Sequence, residues 1–106
     1  MKAMKKYTFH AVNGRVVVKN DELDLPGPHR TSHWPKAEVA AVTIEGLTRV
    51  QVGTVTTYGA LSAHAQDHPA VSFTRTDGTS RQFRDVTESV LDIASELHMR
   101  GYPVKV

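Results

Sequence analysis

A chain of 106 residues, 40% hydrophobic and 23% charged, has the size and composition of one compact domain. Without cysteine it has no disulfide scaffold, thiolate metal site or thiol nucleophile, and thirteen Lys and Arg against eleven Asp and Glu leave a net charge of only +2, which does not announce a nucleic-acid binder. No run reaches the roughly 20 apolar residues of a membrane span, and Met1-Lys2-Ala3-Met4-Lys5-Lys6 does not lead into the apolar core of a secretory signal, so a soluble cytoplasmic protein is expected.

One domain is expected over residues 7–101, between a basic extension at 1–6 and a tail at 102–106. Tyr7 to Phe9 and Arg15 to Val18 are β-favouring and flank Asn13-Gly14, the dipeptide that accepts positive φ at a tight turn, so a hairpin is predicted. Leu23-Asp24-Leu25 alternates as a short half-buried strand and stops at Pro26-Gly27-Pro28. Residues 26–36, with three prolines and the only tryptophan, read as a long irregular loop. Val39 to Glu45 alternates as a further strand, and the β-favouring run Arg49 to Tyr58 is interrupted by Gly53 at a bulge or turn. Ala60 to Asp67 reads as a loop with some helical character.

Val71 to Thr76 and Ser80 to Arg84 form the last hairpin. A three-residue loop is expected there, because that register sets Phe73 opposite Phe83; it also sets Arg75 opposite Arg81. Val86, Val90, Ile93, Ala94 and Leu97 then recur with helical period, which predicts an amphipathic helix of about 15 residues. Asp85 and Glu88 match a capping box at its start, and Gly101 with Pro103 would end it.

Asn13-Gly14-Arg15-Val16-Val17-Val18, Leu23-Asp24-Leu25, the Pro35-to-Ile44 segment, His68-Pro69-Ala70-Val71-Ser72-Phe73 with Asp77-Gly78, Phe83 and the terminal helix together resemble the small bacterial pleckstrin-homology-like domains. The likeness runs from Tyr7 to Gly101 and lies in strand order and apolar rhythm. It implies an α+β fold: a strand-rich split barrel or two packed antiparallel sheets, closed by one C-terminal amphipathic helix. The basic loops with which eukaryotic relatives hold phosphoinositides have no counterpart here beyond Arg15.

Three groups of residues invite a functional reading. Arg75, Arg81 and Arg84 gather around the last hairpin and would suit an anion, a nucleic acid or an acidic protein surface, against the plainer reading of solvated hairpin arginines. Trp34 and Arg30, beside His29 and His33, could engage a partner, or the indole could simply pin the loop over the core. His64 and His68 have the four-residue spacing of metal ligands on a helix, but lack an evident third ligand and precede Pro69, so no metal and no cofactor is expected. Lys2, Lys5 and Lys6 would give only weak membrane attachment.

No nucleophile elbow, phosphate-binding glycine loop or evident carboxylate pair supports catalysis. The leading expectation is a non-enzymatic interaction or assembly module that binds a protein partner or itself through strand edges and the Trp34 loop. An anion- or nucleic-acid-binding module using the three arginines is the rival, and a small metal-dependent hydrolase built on histidines is a weaker one. The low net charge conceals an acidic segment, Asp21-Glu22-Leu23-Asp24, and an arginine-bearing hairpin, so electrostatic recognition should be local.

Overall fold

The computed structural model describes residues 5–52, 55–60 and 69–105, with residues 48–52 and 55–60 described by their backbone alone. The first four strands, β1 (Tyr7–Ala11), β2 (Gly14–Val18), β3 (Glu22–Leu25) and β4 (Ser32–Pro35), form an antiparallel meander in chain order. A 3-10 turn at Lys36–Glu38 leads into β5 (Val39–Ile44), followed by β6 (Leu47–Val52), β7 (Val55–Ala60), β8 (Val71–Arg75) and β9 (Ser80–Phe83). The helix α1 (Val90–Met99) and a short β10 (Val104–Lys105) complete the chain. The second sheet has the order β10-β5-β8-β9, while among the described residues β6 and β7 pair only with each other. Among the described residues the fold is thus α+β, with two packed four-stranded sheets and one helix, and it is not a closed barrel. The second sheet is mixed rather than antiparallel, because β10 runs parallel to β5.

Alternation explains the packing. Phe9, Val16, Val18, Leu23 and Leu25 from the first sheet and Val42, Val71, Phe73 and Phe83 from the second are fully buried. Phe9 stacks on Phe73 across the sheets at 6.3 Å, and Phe73 meets Phe83 edge-on at 6.0 Å. One corner between the sheets is sewn by the first turn. Asn13 donates through Nδ2 to the Gln82 carbonyl at 2.8 Å and accepts from the Arg84 N–H at 3.0 Å, while the Val12 N–H donates to the Arg84 carbonyl at 2.9 Å.

Beside it, Gly14 has a φ of 141°, and an added Cβ would stand 2.3 Å from Cγ of Pro26. This position therefore demands glycine twice, for its backbone and for its space.

Four sequence expectations require correction. The Pro-rich stretch is not wholly irregular, since Ser32–Pro35 pairs with β3 and sets Trp34 opposite Leu23. Burial of the indole, 3% exposed, draws this stretch into the sheet despite its composition.

The last hairpin does have three loop residues, but they are Thr76, Asp77 and Gly78, one position earlier than expected. The Arg75 N–H donates to the Thr79 carbonyl, and Asp77 Oδ1 accepts from the Thr79 N–H. Phe73 therefore pairs with Arg81 and Val71 with Phe83. Since the shift is two residues in total, both phenylalanines keep the inner face.

The helix has ten residues and starts at Val90, capped by Ser89, whose Oγ accepts from the Leu91 N–H at 3.2 Å. Asp85 instead has a φ of 51°, and Glu88 turns to His10, so the expected capping box does not form. The apolar stripe survives: Val90, Ile93, Ala94 and Leu97 are all buried, worth roughly 1.5–3 kcal/mol for each larger side chain.

At the helix end the Gly101 N–H donates to the His98 carbonyl and the Tyr102 N–H to that of Leu97, a Schellman closure with Gly101 at φ 86°. This closure turns the chain into β10, so Tyr102 and Val104 join the core. Burial raises the Tyr102 phenol pKa, and its hydroxyl donates to the Lys19 carbonyl at 2.7 Å. Arg100, 7% exposed, binds Glu96 and the Lys5 carbonyl, tying the helix end to the segment before β1.

Candidate functional site

Arg75 and Arg81 share the Phe73 side of the second sheet; Arg75 reaches the turn before β5 and the Trp34 ring of β4, and Arg81 reaches the chain just after β3. The Arg75 guanidinium binds Glu38 Oε1 at 2.5 Å and sits 5.2 Å from the centre of the Trp34 ring. Arg81 donates to the Pro26 carbonyl and lies 5.5 Å from the Phe83 ring centre. Both charges are thus engaged within the domain. Arg84 is exposed and follows β9, and Arg30 is exposed in the link between β3 and β4. Register does not set Arg75 against Arg81, so the like-charge pair expected from the sequence is absent. Trp34 is a buried core residue of β4. His64 and His68 lie outside the described residues.

A different cluster forms on the outer face of the first sheet. Alternation in β3 sends Leu23 and Leu25 inward, which places Glu22 and Asp24 together outside. Pairing with β4 puts His33 directly opposite Asp24. His33 Nδ1 lies 2.6 Å from Asp24 Oδ1 and 4.0 Å from Glu22 Oε1. From the end of β2, Lys19 places Nζ 3.0 Å from Asp24 Oδ2 and 3.4 Å from Glu22 Oε1.

Electrostatics follow from this geometry. Burial by itself would raise the Asp24 pKa, but the bonds from His33 and Lys19 outweigh it and hold the carboxyl below its ordinary range. Lys19 is raised, chiefly by its hydrogen bond to Asp24. Donor atoms of Glu22, Asp24 and His33 fall within 4.8 Å of one another, which makes these three the metal-type donor set among the described residues. The acidic segment is visible in the sequence, and so is His33. Their meeting was hidden because it depends on β4, which the Pro-rich composition conceals.

His10 and Glu88 form a second polar group at the edge of β1. One Glu88 oxygen accepts from the His10 backbone N–H at 2.7 Å and from Thr87 Oγ1 at 2.9 Å, and the other lies 2.8 Å from His10 Nδ1. Burial tends to raise the Glu88 pKa, yet the bonds from His10 and Thr87 lower it overall. The group covers backbone rather than framing a cavity.

No protein-family model, curated protein or solved structure matches the chain. Among the described residues no helix is long and apolar enough to cross a membrane.

Proposed function

We propose that this chain is a non-enzymatic interaction or assembly module of the cytoplasm that takes a strand of a protein partner, or of a second copy, onto the β6–β7 ribbon. The observation that carries this reading is the pairing of β6 and β7 with each other and with neither four-stranded sheet. Each is six residues long and, among the described residues, has one edge without a strand partner. The ribbon rests against α1 through β7, and a strand edge without a strand partner is a template for strand addition.

Phase identifies the outward groups. Val52 pairs with Val55 across two intervening residues, as Ala11 pairs with Gly14 in the first hairpin. There the closing pair is followed by His10, whose N–H and carbonyl point outward to Glu88 and Thr87. By the same alternation Gln51, Thr56, Arg49 and Tyr58 direct their backbone groups away from the ribbon. Other edges are less open: β1 is covered at His10 and Val12, and β4 ends in Pro35, which has no N–H to offer.

The resemblance to pleckstrin-homology-like domains agrees with this reading through the four-stranded meander, the second sheet and the late helix. The anion or nucleic-acid reading draws less support, because Arg75 and Arg81 are engaged internally and only Arg84 and Arg30 of its residues stand exposed.

Sedimentation velocity across a wide concentration range, with native co-purification in parallel, tests the proposal. Wild type should self-associate or retain a partner, and either Gln51→Pro on β6 or Thr56→Pro on β7, each of which removes one outward N–H, should lose that association while melting normally. A wild-type monomer that retains nothing, or association unchanged in both Gln51→Pro and Thr56→Pro, overturns it.

A further inference from the structure

We propose that Glu22, Asp24 and His33 form a binding site for a divalent transition metal such as Zn2+ or Co2+ on the outer face of the first sheet. The inference is independent of the strand-edge reading, since it concerns a different face and different strands. It begins with donor chemistry: one imidazole nitrogen and two carboxylates are a mixed set that suits zinc and cobalt, and three protein ligands leave positions open for water.

The backbone supplies the convergence. Glu22 and Asp24 share one face of β3 because they are two residues apart, and Asp24 and His33 are direct cross-strand partners, so no loop has to order for the donors to meet. All three donor atoms already lie within 4.8 Å. Metal bonds of about 2.0–2.2 Å would set adjacent donors somewhat over 3 Å apart, so the 2.6 Å His33–Asp24 contact opens slightly and the Glu22 contact at 4.0 Å closes.

Lys19 already supplies positive charge to the same carboxylates, so a metal has to displace it. Its ammonium stands between the two carboxylates, at 3.0 and 3.4 Å, and marks the position at which their oxygens converge on positive charge. Half exposed and on a flexible stem, it can swing into solvent when a metal arrives. Lys19 is thus a built-in competitor, and this gives the proposal a signature that a merely structural salt bridge lacks.

Zn2+ titration calorimetry on the full chain, with Co2+ absorption spectra, tests the site. One equivalent should bind, and His33→Ala and Asp24→Asn should each weaken binding by about tenfold or more. Lys19→Gln should tighten it several-fold by removing the competitor. A His64→Ala/His68→Ala double variant should bind as wild type does. Because a variant can perturb the sheet, Mn2+ line broadening on the wild-type protein gives a separate readout, expected at the amides of residues 22–25 and 32–34. Absence of binding, binding that survives His33→Ala, weaker binding in Lys19→Gln, or broadening centred elsewhere overturns the proposal.

Discussion

The Glu88 carboxylate holds His10 at two points, its backbone N–H at 2.7 Å and its imidazole Nδ1 at 2.8 Å, although the two residues are 78 positions apart. A side chain that the sequence places at a helix start instead covers the edge of β1. It joins the chain before the helix to the first sheet, and Thr87 reinforces the link by donating its N–H to the His10 carbonyl.

This link carries a pH dependence. The folded Glu88 pKa is lowered from its ordinary value of 4.5, so its contribution to stability is complete above that value and is lost as pH falls through the lowered one. Urea unfolding of wild type and Glu88→Gln should differ by about 1–2 kcal/mol near neutrality, discounted for the partial exposure of the pair, and the difference should shrink in acid. An unchanged difference down to strongly acid pH would contradict the assignment.

Gly14 is held by its φ of 141° and by Pro26, which an added Cβ would approach to 2.3 Å. Gly14→Ala should cost about 2–4 kcal/mol from strain and overlap together. Pro26→Ala in the same chain should recover part of that loss, leaving the backbone share, and denaturant midpoints of the double-mutant cycle measure both shares.

Trp34 and Arg84 separate packing from surface charge. Trp34→Ala should lower stability by about 3–5 kcal/mol, since it empties a buried position and removes the ring beneath Arg75. Arg84→Ala, at an exposed position, should stay within about 0.5 kcal/mol. Thermal melts of the two variants make the comparison.

The helix start has its own check. Ser89→Ala should cost about 1 kcal/mol, because Ser89 Oγ accepts the Leu91 N–H. Leu97→Asp should abolish cooperative melting, since it places a charge in the core.

Local signals account for what the sequence made legible. Asn13-Gly14 marks the first hairpin, although its two loop residues are Val12 and Asn13 and Gly14 opens β2 opposite Ala11; Leu23-Asp24-Leu25 alternates, and the stripe from Val90 to Leu97 has helical period, and each of these signals needs only neighbours in the chain. What escaped depends on distant partners. Composition argues against a strand at Ser32–Pro35, but burial of Trp34 opposite Leu23 decides otherwise. Asp85 and Glu88 fit a capping box until His10 competes for the glutamate. Two-residue periodicity gives the inner face of the last hairpin correctly and leaves a shift of two residues undetected, which is why the sequence pattern sets Arg75 opposite Arg81 while the structure does not. The Asp24–His33 contact was out of reach for the same reason as β4. Strand β10 is only two residues long and has no signal of its own.

Amide hydrogen exchange is the most direct test of the claim that the β6–β7 ribbon is the docking edge. Comparing the isolated protein with its associated form, be it a partner complex or a self-assembly, the account expects new protection at the outward amides of the ribbon, Arg49 and Gln51 on β6 or Thr56 and Tyr58 on β7. Protection gained elsewhere on the domain, with these four amides unchanged, would contradict it.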